Sequence, residues 1–165
     1  MVDATAGNGH DTAFLARLVG PGGKVHAFDI QEEALRSARE RLREEGLLTD
    51  AVCFHLASHS RLAELVRGPV KAIMFNLGYL PGGDRNLITR TDSTLAALEQ
   101  AVNLTAPNGI LSVMCYPGHE GGNTEAAAVE QLLSRLPHHL WRTGKYQLLN
   151  TSTPAPFQIC AFRLD

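Results

Sequence analysis

Apolar residues along this chain follow two alternating rhythms. Short apolar runs of strand length occur at 24–28, 51–56, 70–75 and 110–115. Between and after them come stretches in which apolar positions return every three or four residues, the period of a helix with one buried face. The second rhythm is clearest over 31–45, where Ala34, Leu35, Ala38 and Leu42 make one stripe and Gly46 ends the segment. The Glu and Arg residues between those positions predict a solvated face, with Glu32 and Arg36 spaced for a surface pair. Further helices are predicted over 12–19, 61–66, 94–104 and 125–136, with a loop over 84–92 and a turn at Pro107-Asn108-Gly109. The chain closes differently. Residues 140–149 and 157–164 are both strand-like, and the stretch from Asn150 to Pro156 leaves no room for a helix, so the two pair antiparallel. The pattern is that of an α/β fold: a doubly wound, mostly parallel sheet ending in an antiparallel hairpin.

Chemistry concentrates where strand-like runs end. The stretch Asp3-Ala4-Thr5-Ala6-Gly7-Asn8-Gly9-His10-Asp11-Thr12 reads as a very short strand, a glycine turn and a helix start. Gly7 and Gly9 can take backbone angles forbidden to other residues and let a ligand lie on the main chain. Asp11 or Thr12 is placed to cap the helix, whose start favours negative groups. The next strand ends on Asp29, about 20 positions past the turn, where a nucleoside-binding sheet places its ribose ligand. Gln31 is within reach of the same ligand. After the third strand, Ser58 and His59 are candidates for the adenine edge, and Ser58 also fits as a helix cap. A dinucleotide fold would place glycine where Thr12 stands.

The fourth strand runs into Asn76-Leu-Gly-Tyr79-Leu-Pro-Gly-Gly83. The Asn76 carbonyl oxygen can accept hydrogen bonds from an amine, and Tyr79 can stack on or hydrogen-bond a substrate. The fifth ends in Tyr116-Pro-Gly-His-Glu-Gly-Gly122, where His119 is a candidate proton acceptor. Arg85, Arg90, Arg142 and Lys145 are candidates for a phosphate-binding rim.

Composition narrows the partners. The chain has 165 residues, 44% of them hydrophobic, enough for one domain over 1–165 with its own core, although the first strand begins so near the start that the N-terminal segment reads as cut short. A net charge of -2 means that any nucleic-acid contact comes from a local patch. Cys53, Cys115 and Cys160 sit in apolar strand-like runs and read as buried thiols of a reducing compartment. No run is long enough for a membrane helix and no signal peptide is visible, so a cytoplasmic location is expected. The seven histidines show no metal-ligand spacing, and no metal is expected.

An acidic residue four before the first glycine (Asp3, Gly7, Gly9) resembles the first motif of class I S-adenosylmethionine (SAM) methyltransferases. Asn76-Leu-Gly-Tyr79 keeps the first and last positions of the Asn/Asp-Pro-Pro-Tyr motif of enzymes that methylate amino nitrogens, without its prolines. With Phe28-Asp-Ile-Gln31 and the Tyr116–Gly122 stretch, these segments are similar to a small bacterial and plastid family long labelled ribosomal RNA methylases. The resemblance implies a seven-stranded, Rossmann-like class I methyltransferase sheet and SAM held by Gly7, Asn8, Gly9, Asp11, Thr12, Asp29, Gln31, Ser58, His59 and Asn76. It implies catalysis by Asn76, Tyr79 and His119, and methylation of the amine of 5-aminomethyl-(2-thio)uridine at the tRNA wobble position. RNA, tRNA first, is the expected partner, and a homodimer would extend its surface. The alternatives are a methyltransferase for rRNA or a small amine, a SAM-binding module without catalysis, or a nicotinamide oxidoreductase, which Thr12 and the terminal hairpin disfavour.

Overall fold

The structure is a computed structural model, and it describes residues 1–78, 88–118 and 120–165. Strands β1 (Val2–Asp3), β2 (Val25–Asp29), β3 (Val52–Leu56), β4 (Val70–Asn76), β5 (Thr105–Cys115), β6 (Trp141–Gln147) and β7 (Phe157–Arg163) form one sheet. Its order is β3-β2-β1-β4-β5-β7-β6. The ladders from β3 through to β5 are parallel, and β7 lies antiparallel to both β5 and β6. The fold is the seven-stranded sheet with a terminal hairpin that the sequence pattern predicts.

Helices α1 (His10–Leu18) and α2 (Glu32–Glu44) pack against each other on one face. There Ala6, Ala27 and Leu35 form a small apolar cluster with Phe54 against it. Helices α3 (Leu62–Leu65), α4 (Thr91–Leu104) and α5 (Gly122–Ser134) cover the other face. The larger core lies there and joins Phe28, Leu62, Ile73, Phe75, Leu98, Leu111 and Leu133. Parallel strands buried on both faces read as continuous apolar runs, which is why β2 and β4 are visible in the sequence.

Several local expectations are corrected. Helix α1 begins at His10 with Gly9 at its N-cap and no side-chain cap bond, so neither Asp11 nor Thr12 caps it. The end of the stretch expected as a loop over 84–92 is helical, because Thr91 and Asp92 already belong to α4. The Pro107-Asn108-Gly109 turn lies inside β5, not before it. Val70 pairs with Thr105 and Ala72 with Ile110, so the intervening residues loop out of the ladder as an irregular bulge. Arg36 pairs with Glu33 at 2.9 Å in place of Glu32. Of the cysteines only Cys115 is fully buried, its thiol pushed up to about 12 chiefly by burial, whereas Cys53 and Cys160 are half-buried. Among the described residues no helix is long and apolar enough to cross a membrane.

Candidate active site

Strand order reverses between β1 and β4, and a crevice opens there at the carboxyl edge of the sheet. The cavity measures about 920 Å³ and is lined from the ends of β1, β2 and β4 and from the turns after β3 and β5. That volume suits a nucleoside-sized ligand.

The glycine turn and Asp29 form one unit. Gly7, at φ 49°, donates its N–H to Asp29 Oδ2 at 3.0 Å, and the Gln31 N–H donates to Oδ1 at 2.9 Å. Both carboxylate oxygens are thereby oriented, and each keeps acceptor capacity for a diol. Gly7, Asn8, Asp11, Asp29 and Gln31 all line the cavity, with the exposed apolar side chain of Ile30 beside them. The Asn8 carbonyl accepts from Arg41 Nε of α2 at 2.7 Å. One member of the charge run on α2 is therefore a support for the turn and not only solvated surface.

Gly9 and Thr12 are not among the residues that line the cavity. A Cβ on Gly9 would lie 2.6 Å from the Ala38 Cα, so this glycine lets α2 approach the turn and does not make room for a ligand. Thr12 is fully buried and donates from Oγ1 to Asp3 Oδ2 at 2.5 Å. Asp3 is itself fully buried. Its carboxyl is pushed up to about 7 chiefly by burial, against the pull of the Thr12 bond. Asp3 Oδ1 accepts the Thr5 N–H at 3.2 Å, and Thr5 Oγ1 accepts the Asn76 N–H at 2.7 Å. This relay fixes the end of β4.

Ser58 both lines the cavity and caps the 3-10 turn His59–Arg61, accepting from the Ser60 N–H at 3.2 Å. His59 also lines the cavity, but its ring lies at the end of β1, edge-on to Phe75 of β4 with centroids 5.7 Å apart. Its Nδ1 is 3.3 Å from the Ala4 carbonyl, which can only accept, so Nδ1 carries the hydrogen and Nε2 the lone pair. Burial holds the imidazole below its usual pKa, and Nε2 is buried with no hydrogen-bond partner. A buried orphaned acceptor at a cavity wall marks a place for a donor.

Asn76 is exposed at the end of β4 and lines the cavity. Tyr116, just past the end of β5, lines the same cavity. The neighbouring Gly78 is tied to Thr89: the Gly78 N–H donates to Thr89 Oγ1 at 2.9 Å, and the Thr89 N–H donates to the Gly78 carbonyl at 2.8 Å. Thr89 Oγ1 in turn donates to Glu125 at 2.8 Å, and Thr94 Oγ1 does the same at 2.7 Å. Sequence reasoning missed Thr5 and Glu125, because their partners are distant in the chain, and Tyr116, which the fold brings to the cavity. Tyr79, Arg85 and His119 lie outside the described residues. Arg90 lines the cavity with its side chain 3.6 Å from Asp92. Arg142 and Lys145 do not. They lie on β6 at the far edge of the sheet, with Lys145 paired to Glu130 at 2.7 Å and resting over the Phe157 ring.

The parallel sheet closed by an antiparallel hairpin, with a cavity at its switch point, is the class I methyltransferase fold. The fold matches a structure described as a "putative rRNA-methylase" from Clostridium thermocellum at TM-score 0.94 and 37% identity, covering 99% of this chain and 87% of that one. It also matches a "putative methyltransferase" from Streptococcus mutans, solved with S-adenosylhomocysteine, at TM-score 0.89 and 36% identity over the same shares. Residues 25–162 match the family model described as "Putative rRNA methylase", and the chain belongs to that family. It is 38% identical to the chloroplastic tRNA (mnm(5)s(2)U34)-methyltransferase of Arabidopsis thaliana over 100% of this chain, which spans 63% of that protein's length.

Proposed function

We propose that the protein uses SAM to methylate the amine of 5-aminomethyl-(2-thio)uridine at the wobble position of tRNA. The observation that carries the reading is the likeness of the whole chain to the chloroplastic tRNA methyltransferase. The exposed Asn76 amide on the cavity wall supports it, because a carboxamide oxygen suits an amine donor. The site fits the cofactor: Asp29 takes the ribose hydroxyls, the turn at Gly7 and Asn8 takes the amino-acid portion, and Gln31, Ser58 and His59 supply polar contacts. SAM, when bound, supplies an electrophilic methyl on a positively charged sulfur.

The chain's own residues do the positioning. Asn76 Oδ1 accepts a hydrogen from the substrate nitrogen and aims its lone pair. An alkylamine is mostly protonated at neutral pH, so one proton leaves before attack, to His119 or to water. Orientation of this kind lowers a barrier substantially without any protein nucleophile. Arg90, on the cavity wall, supplies a phosphate contact.

The test is methyl transfer from labelled SAM to tRNA carrying 5-aminomethyluridine, followed by nucleoside mass analysis. A new 5-methylaminomethyl nucleoside is the expected product. Ribosomal RNA, the substrate in the family's description, is run in parallel, and label appearing only there would overturn the tRNA reading.

A further inference from the structure

We propose that Glu125 is a positioning residue for the substrate amine: its buried carboxylate, acting through the Thr89 hydroxyl, fixes Gly78 and with it the stretch of cavity wall that carries Asn76. The inference rests on the amine-methylating reading of Asn76 and deepens it.

The β4–β5 ladder holds Asn76 on one side only. Asn76 pairs with Met114, and the Leu77 N–H donates to the Met114 carbonyl at 3.0 Å. Gly78, at φ 121°, then turns away from the strand. From there the chain is held by Thr89, whose Oγ1 accepts the Gly78 N–H at 2.9 Å and whose N–H returns to the Gly78 carbonyl at 2.8 Å. Asn76, Gly78, Thr89 and Arg90 all line the cavity.

A threonine hydroxyl that accepts a backbone N–H has one hydrogen of its own to place, and the acceptor of that hydrogen fixes the side chain. For Thr89 the acceptor is Glu125 Oε2, 2.8 Å away. The other carboxylate oxygen accepts from Oγ1 of Thr94, a fully buried residue of α4, at 2.7 Å. The end of β4 and the starts of α4 and α5 therefore meet at one carboxylate that is only 3% exposed. Burying a charge is costly, and here two hydroxyl donors and the first turn of α5 offset the cost. A charged acceptor binds roughly twice as strongly as a neutral one, so it holds Thr89 more firmly than an amide or hydroxyl would. The cofactor side of the cavity is braced separately, by the Gly7 and Gln31 bonds to Asp29. Loss of Glu125 is thus felt at the amine and not at SAM.

Two measurements test this, one of them independent of turnover. Glu125→Met keeps the length of the side chain and removes both acceptors. In that variant, amide hydrogen exchange at Gly78, read by NMR, is expected to be about tenfold faster, because the hydroxyl that accepts the Gly78 N–H is free to turn. Unchanged exchange overturns the proposal. In the kinetic arm, Glu125→Met and Thr89→Val are each expected to lower kcat about tenfold, with SAM affinity kept within about a factor of two. The double variant is no slower than Thr89→Val alone, because Glu125 acts through Thr89. Thr94→Val is the control for a merely structural role. It removes a bond to the same carboxylate away from the cavity, so its melting temperature falls while kcat stays within about twofold. Turnover that follows melting temperature across the three single variants, additive losses in the double variant, or an equal loss of SAM affinity would each overturn the positioning role. If the unaltered protein binds SAM but leaves 5-aminomethyluridine tRNA unmodified, the substrate reading fails, and the Gly78 exchange still decides whether Glu125 holds the wall.

Discussion

Asn76 divides its contacts between two parts of the residue. Its backbone N–H goes to Thr5 Oγ1, and the residue lines the cavity. Asn76→Ala therefore keeps the end of β4 in place while removing the acceptor for the nucleophile. The expected result is a fall in kcat of about 10², with SAM affinity kept within about a factor of two, since a group needed mainly in the transition state acts on turnover. Equal losses in both quantities would remove the aiming role. Gly9 gives the opposite kind of prediction. With a Cβ 2.6 Å from the Ala38 Cα and φ at 81°, Gly9→Ala must push α2 away from the turn. A loss of about 1–3 kcal/mol is expected, measured as a shift in the denaturation midpoint, and an unchanged midpoint would refute the packing role. The sequence marked Gly7, Gly9 and Asp29 through their spacing alone, because glycine and a strand-end carboxylate have few substitutes there. It could not divide the labour between the two glycines, since the neighbour that fills the space over Gly9 is Ala38 of another helix.

At the scale of elements, β5 shows correct local chemistry in an unexpected setting. Pro107-Asn108-Gly109 is a turn sequence, and Asn108 does adopt φ 57°. The turn nevertheless lies within the ladder, where Lys71 Nζ reaches the Pro107 carbonyl at 2.7 Å. A β-branched residue is strained at such an angle, so Asn108→Val is expected to destabilise by about 1–2 kcal/mol. Asn108→Gly should be close to neutral in the same thermal melts, and a loss as large as that of Asn108→Val would assign the effect to the Asn108 side chain's bond to Asp165. Helix α2 gives the second lesson. Its stripe of Ala34, Leu35, Ala38 and Leu42 is buried as its period predicts. Its role in the site comes from Arg41, on the polar side of the pattern, which holds the Asn8 carbonyl. Arg41→Ala is expected to weaken SAM binding about tenfold with little effect on kcat, measured by calorimetric titration, because the contact shapes the turn and not the reacting centre. Hydropathy cannot tell a solvated arginine from one that reaches a neighbouring loop.

For the molecule as a whole, the half-buried His26 and the buried Asp3 make stability depend on pH with opposite sign. Burial, with the neighbouring His55 next, lowers His26 to about 4 from an ordinary 6.5, and the two rings lie stacked with Nδ1 and Nε2 3.0 Å apart. Between pH 6.5 and about 4 the unfolded chain takes up a proton that the native His26 does not, so stability falls as pH falls through that window. Asp3 is raised from 3.8 to about 7, so over that range the native state holds the proton that the unfolded chain has lost. Its contribution is greatest below pH 3.8 and is lost as pH rises toward 7. In a series of melts from pH 4 to 7, His26→Gln is expected to lose less stability on acidification than the unaltered protein, and Asp3→Asn less on alkalinisation. Parallel curves for either variant would assign the dependence to other groups.

By itself the sequence determined the alternation of strands and helices, the closing hairpin, the glycine turn with its carboxylate, and the family motifs. All of these rest on contacts within a few residues or on periodicity, which a linear pattern records. The tertiary structure decided which residues meet. It placed β1 between β2 and β4, which creates the crevice. It set the β4–β5 register that puts Asn76 and Tyr116 on the same cavity, and it turned Thr12 inward to Asp3. It separated Arg142 and Lys145 from the cavity by carrying β6 to the outer edge of the sheet. Strand order and register arise from burying many apolar faces at once, and no single segment holds that information.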